Sequence, residues 1–422
     1  MGGFSTVMKV REFRILWFAD LQSSVGDQLS RVALSVLVYH DTGSGFMTAG
    51  VYALSYLPAL LGSVFLGHLA DRFPRRGLLI TGDVLRAGLL ALMAWPSTPL
   101  PVMTALLVVV VILGTPWQAA ESALVSEILG PERYVLGVGL RVAAQQGAQL
   151  AGFGVGGIVV AAIGSHAALF ADSVSYAVSA LLILGGVRRR RATRELDENG
   201  RQRNWMDGAR TAFSTRHLRY LIGFSWLAGL VVAPEGLAAP YAAAIGGGAG
   251  TVGLLLAANP AGLMIGTILF TRLLTPDQRA RSVGLLAMLS CLPCVLLWSE
   301  PPLAIAMTLL ALSGLMFAYQ SQVMTEFAIT IPSGHRGQAI SVAAAGLLVA
   351  QGVGLVAGGA VAQAWSVGPA IAICGAVGVV IAWRLTALRA KDQRARRRAA
   401  GVAGLDVLAE VLPESNEAAT PA

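Results

Sequence analysis

Gly67-His-Leu-Ala-Asp71-Arg72-Phe-Pro-Arg75-Arg76 sets Asp71 and three arginines, Arg72, Arg75 and Arg76, between two apolar runs. Those runs, read as helices at 48–70 and 77–95, are long enough at about 1.5 Å per residue to cross a hydrocarbon layer of about 30 Å. Working outward, the same alternation fills the chain. It predicts further helices at 13–39, 102–128, 135–163, 166–187, 218–243, 251–274, 282–298, 303–330, 338–363 and 366–388. The 422 residues are 55% hydrophobic and 13% charged, and the mean hydropathy is +0.67. That excludes the soluble classes and leaves an all-α membrane protein of twelve transmembrane helices.

Positions of the cations predict the orientation, because cytoplasmic loops retain Lys and Arg. Lys9, Arg11, Arg14, the 67–76 arginines, Arg133, 188–191, Arg279, Arg281, Arg336 and the tail arginines all fall on one side, and the opposite loops hold no Lys or Arg. Both termini are therefore expected in the cytoplasm, in a bacterial inner membrane. The same topology accounts for the net charge of +8 without nucleic acid, and the basic clusters can additionally touch anionic membrane lipid. Cys291, Cys294 and Cys374 lie inside apolar runs and read as packing residues. Residues 1–13 lack the pattern of a cleaved signal peptide, so the first helix is expected to be retained.

The chain reads as a duplication. Arg11-Glu-Phe-Arg-Ile-Leu returns as Arg216-His-Leu-Arg-Tyr-Leu, Trp117-Gln118 as Tyr319-Gln320, and Gln146-Gly147 as Gln351-Gly352, at offsets of 205, 202 and 205. Two six-helix pseudo-repeats follow: a bundle at 1–187, a cytoplasmic linker at 188–217, a second bundle at 218–388, and a disordered basic tail at 389–422.

The 67–76 stretch resembles the signature loop of the major facilitator superfamily, with Pro74 where that pattern prefers glycine. Gly67 permits close helix approach, Asp71 can offset a helix N-terminus, and Arg72, Arg75 and Arg76 can bridge to carboxylates or helix ends across the interface between halves. The resemblance implies that this network latches the outward-open state. Gly152-Phe-Gly-Val-Gly156-Gly157 is similar to the glycine-rich fifth-helix motif of the superfamily's exporters, with Phe153 in place of proline, and reads equally as a plain packing face. The first helix, through Gly26-Asp27-Gln-Leu-Ser-Arg31, and the sixth, around Asp172, resemble the macrolide and siderophore exporter branch. The resemblance implies the major facilitator fold and efflux of a small molecule by alternating access.

Charges inside the spans point to chemistry. Asp27 and Arg31, four residues apart on one helical face, can pair with each other; Asp27 is then either a protonatable cavity residue or half of a permanent structural pair. Glu235, between Pro234 and Pro240, is the alternative proton carrier. Trp117, Gln118, Glu121, Tyr319, Gln320 and Gln351 are candidate cavity residues, offering aromatic faces and hydrogen bonds, or are packing residues. Asp83 and Arg86 are expected to pair locally, and Arg141 to snorkel toward the membrane edge.

No ATP-binding loop, nucleophile elbow or metal-spaced histidine cluster appears among only five histidines, so neither enzyme, cofactor nor metal is expected. The leading expectation is a monomeric, proton-coupled exporter of a lipophilic drug or secondary metabolite. The alternatives are a siderophore or nutrient transporter and a transport-inactive scaffold or sensor.

Overall fold

A computed structural model of the chain describes residues 3–66, 69–190, 205–332 and 336–411, and the regular elements in them are all helical. After a short helix at Gly3–Met8 comes the first span, α1, at Arg11–Thr42. Gly43 ends it in a left-handed conformation (φ 61°) with its N–H bonded to Tyr39 O, and Ser44 caps the next helix by accepting from Met47 N. Span α2 is two pieces, Gly45–Ala53 and Leu57–Leu66. The short helix Leu69–Arg72 leads into α3 at Arg75–Met93. Spans α4 and α5 are arms of one helical run, Leu100–Ile163, which folds back at Gly130 (φ 66°, ψ 173°). Only glycine adopts that backbone readily, and Pro131 beside it cannot donate a helical hydrogen bond. The connection expected between 128 and 135 therefore contracts to a single turn, a correction that places Arg141 deeper than its sequence position suggested. Span α6 is Ser165–Gly186.

In the second half α7 is four pieces, Arg216–Trp226, Ala228–Val231, Ala233–Gly236 and Ala238–Ala244, with Pro234 and Pro240 in the first turns of the last two. Next come α8 at Ala249–Leu273 and α9 at Pro276–Val295, whose start is a capping box of Thr275 and Gln278. Span α10 is Leu303–Phe317 with Tyr319–Thr330, α11 is Arg336–Ala364, and α12 is Val367–Val411. The tail expected to be disordered from 389 is thus helical as far as Val411. Part of the 188–217 linker forms the helix Trp205–Ala212, where Gly208 abuts Gln338.

Eight of these helices are long and apolar enough to cross a membrane as they stand, and the bent α7 makes nine. The folded run Leu100–Ile163 counts once among them, and the charged helices α1 and α3 do not qualify on apolarity alone. The result is twelve spans as two repeats of six.

Packing reveals how the repeats stand. One apolar core joins both halves at the end of the bundle far from the termini, running from Val32, Ala49 and Phe153 to Leu237, Val252 and Leu355. Toward the termini the core divides. Phe13, Leu79 and Leu124 belong to a cluster of the first half alone, and Leu221, Tyr319 and Phe327 to one of the second half alone. The far seal is glycine-lined: a Cβ on Gly157 of α5 would stand 2.7 Å from Gly253 Cα and 2.8 Å from Ala249 O of α8. Gly359 of α11 lies equally close to Ala49 of α2, and Ser44 donates to Gln363 at 2.8 Å. The halves are closed at the far end and splayed at the end bearing the termini.

Candidate functional site

Beyond the far seal lies a cavity of about 260 Å³ whose walls include Asp27, Arg31, Tyr56, Arg86, Gln118 and Asp172. Among the residues lining it, Leu348 alone comes from the second half. Most of the remaining wall is aliphatic, from Leu34, Leu90, Leu107, Val110 and Val111.

The polar wall is built by tertiary contacts between helices. Tyr176 of α6 donates to Asp27 Oδ1 at 2.5 Å, and Arg86 of α3 donates to the same phenol while its guanidinium stands 4.0 Å from the ring centroid and 3.8 Å from Asp27. Arg31 does not pair with Asp27. Instead it lies 6.0 and 5.4 Å from the ring centroids of Tyr52 and Tyr56. This is a correction to the expected pair, and its cause is that both groups find stronger partners on other helices. Those two tyrosines donate to Glu235 Oε2 at 3.0 and 3.4 Å, so a carboxyl of the second half is held by hydroxyls of the first.

Asp172, only 1% exposed, accepts from Ser30 at 2.5 Å and Ser175 at 3.0 Å. Gly26 makes room for it: a Cβ there would run into the Asp172 carboxyl and stand 2.6 Å from Ser175 Oγ. Gly26→Ala is expected to destabilise the protein by about 1–3 kcal/mol through this overpacking, read as a lower Tm in detergent; an unchanged Tm would mean α1 and α6 yield freely. Asp83 takes Ser179 as its donor at 2.6 Å, replacing the expected pairing with Arg86, which is drawn to Tyr176. Arg141 does not snorkel: it makes ion pairs with Glu121 and, at 3.6 Å, with Asp20.

Of the other expected cavity residues, Gln118 lines the cavity. Trp117 is 4% exposed and sits against Gly82, Glu121 is taken up by Arg141, and Tyr319 is fully buried with its hydroxyl on Phe224 O. Gln320 donates to Ser225, and Gln351 stands beside Gly352, which packs on Leu57. Gly152 and Gly156 seat α5 against Gln28 and Leu29 of α1. In the loop motif, Gly67 and the side chain of Asp71 lie outside the described residues, and Arg72 is exposed. Arg75 pairs with Glu127 and donates to Ala123 O, while Arg76 donates to Leu184 O near the C-terminus of α6 at 2.5 Å. The arginines bridge within the first half and not across the interface, because the halves are splayed at that end.

Sequence reasoning passed over Tyr52, Tyr56, Tyr176 and Asp20. A usable signal was present: Asp20, Asp27 and Arg31 follow one stripe of α1, and Asp172 and Tyr176 share a face of α6. Charge at mid-depth is also lopsided. Five carboxyls and three guanidiniums belong to the first half, against Glu235 alone from the second, among the described residues.

Twelve spans in two repeats around a shared cavity describe a transporter fold, and residues 16–325 match the family model described as Major Facilitator Superfamily. The chain belongs to the Major Facilitator Superfamily. It is a multi-pass membrane transporter of that type. One relative of this superfamily member, the uncharacterized MFS-type transporter YkuC of Bacillus subtilis (strain 168), is 28% identical over 180 residues, 42% of each chain. The match thus spans less than half of that relative's length. Among solved structures, a POT family transporter in complex with a thioalcohol-conjugated peptide is 13% identical with a TM-score of 0.71, over 90% of this chain and 96% of that one. The nucleoside transporter NupG, in mutant form, is 14% identical with a TM-score of 0.70, over 88% and 99%. A bacterial homologue of the human lysosomal transporter Spinster, inward-facing and unoccupied, is 14% identical with a TM-score of 0.67, over 89% and 94%. At such identities the likeness is one of fold.

Proposed function

We propose that this Major Facilitator Superfamily protein exports a lipophilic drug or secondary metabolite from the bacterial cytoplasm across the inner membrane in exchange for protons, both termini facing the cytoplasm. The bundles at 1–187 and 218–388 rock against each other, and the 67–76 arginines re-pair across the interface when the terminal end closes.

One observation carries the reading. Glu235, at membrane depth, is held by Tyr52 and Tyr56 of the opposite half and faces Arg31. An ionisable group whose partners belong to the other half must change surroundings whenever the halves part, so its proton and the conformation are linked. Asp27, its carboxyl 39% exposed at the cavity, supplies the second exchangeable proton site. Substrate lies against the aliphatic wall, with Gln118 and Tyr56 offering polar contacts.

Arg31 and Arg86 on the same wall favour a second reading, transport of an anionic siderophore or nutrient. A panel of cationic, neutral and anionic compounds, with accumulation compared in cells with and without the protein, separates the two. In proteoliposomes loaded with a compound so identified, Asp27→Asn is expected to abolish substrate-driven proton movement. Coupling unchanged in both Asp27→Asn and Glu235→Gln would remove the proton assignment.

A further inference from the structure

Below the cavity, toward the terminal end, α1, α4 and α5 meet at Asp20, Glu121 and Arg141. We propose that this triad is a further proton-binding site, apart from the cavity, in which Asp20 and Glu121 together hold one proton. It adds a coupling group to the exporter reading but does not depend on that reading for its existence.

The charge count is the first argument. Asp20 and Glu121 have side chains 8% and 1% exposed, and the guanidinium between them is that of Arg141: Nη2 touches Glu121 Oε2 and Nε lies 3.6 Å from Asp20 Oδ2. Two ionised carboxylates against one guanidinium would leave a net negative charge at membrane depth, and a buried site avoids that by taking up a proton. Hydrogen bonding is the second argument. Apart from its ion contact with Arg141, Glu121 Oε2 is a buried acceptor with no hydrogen-bond donor. Arg141 Nη1 is spent on Ser122 at 3.1 Å. A carboxyl O–H is the donor the site lacks.

Surrounding charge does not supply the missing cation. The further charged groups acting on the triad are Asp27 on α1 and Asp83 and Arg86 on α3. Arg86 is committed to Tyr176 and Asp27, and Asp83 adds negative charge.

Position gives the proton a route. Glu121 lies three residues past Gln118 of the cavity wall, about one turn nearer the splayed end, and Asp20 lies about two turns before Asp27 on the same stripe. Arg141, 18% exposed, leaves one edge of the triad open at the surface of the bundle.

The test is proton counting on the full chain in lipid vesicles, by potentiometric titration paired with infrared pH-difference spectra of the carboxylic-acid carbonyl. Glu121→Gln and Asp20→Asn each leave one acid with one guanidinium, and each is expected to bind one proton fewer than wild type at neutral pH and to lose one carbonyl band. Arg141→Gln is expected to bind one more. Equal proton counts in wild type and Glu121→Gln overturn the proposal. Where Glu121→Gln fails to fold, Asp20→Asn carries the same comparison. The Glu121→Gln difference must also persist in an Asp27→Asn, Glu235→Gln background; its disappearance there places the proton in the cavity and sinks the triad. A persistent difference in a chain that moves no substrate against protons leaves this site standing and removes the exporter reading alone.

Discussion

Replacing Glu235 by glutamine is expected to bring substrate-driven proton movement in proteoliposomes to background while downhill substrate flux continues. The amide keeps an oxygen for the hydroxyls of Tyr52 and Tyr56, which reach this side chain at 3.0 and 3.4 Å, so the halves can still close. What it loses is the exchangeable proton. Glu235→Leu removes the acceptor as well and orphans the hydroxyl of buried Tyr52, at a cost of about 1–3 kcal/mol, along with that of half-buried Tyr56. The pair of variants therefore separates coupling from closure, with a pH-sensitive dye inside the vesicles as the readout. Full proton movement in Glu235→Gln would leave Asp27 as the carrier of the two.

The second large effect is expected at the glycine crossing of α5 and α8. A Gly157 side chain would meet backbone, not a flexible neighbour, at 2.7 Å from Gly253 Cα, so Gly157→Val can be accommodated only by moving the helices apart. Overpacking of this kind costs about 1–3 kcal/mol, which shifts the balance between closed and open far ends by about 5- to 150-fold. Closure is read with Gly45→Cys and Ala362→Cys. A Cβ on Gly45 lies 3.4 Å from Ala362 Cβ, close to the disulfide range of about 3.5–4.5 Å. Cross-linking is expected to be fast in the otherwise native chain and at least about fivefold slower with Gly157→Val. An undiminished rate would show that the crossing does not govern closure.

The twelve spans were legible in the sequence because a membrane imposes a length on every apolar run, and the duplication was legible because three short matches keep nearly one offset. Charge pairing was not. Spacing of four predicted Asp27 with Arg31, and spacing of three predicted Asp83 with Arg86, yet all four take partners from other helices: Tyr176, the Tyr52–Tyr56 pair and Ser179. Helical spacing reports only what one helix offers itself, and inside a bundle each face has two or three competitors. Arg141 was misplaced for a different reason. The turn at Gly130 is tighter than the apolar pattern implied, which carries the residue inward to Glu121 and Asp20. Arg75 and Arg76 of the loop meet a carboxylate and a helix end inside the first half, where the sequence pattern had set them across the interface.

The uneven distribution of buried charge has an electrical consequence. A voltage across the bilayer acts only on charge, exchanging about 2.3 kcal/mol per elementary charge per 100 mV. In this molecule it finds Asp20, Asp27, Asp83, Glu121, Asp172 and three arginines on one bundle and little beyond Glu235 on the other. Opposite charges on one bundle offset one another, so the pull of the potential is set by how many of those carboxyls hold a proton, and every proton bound or released there changes it.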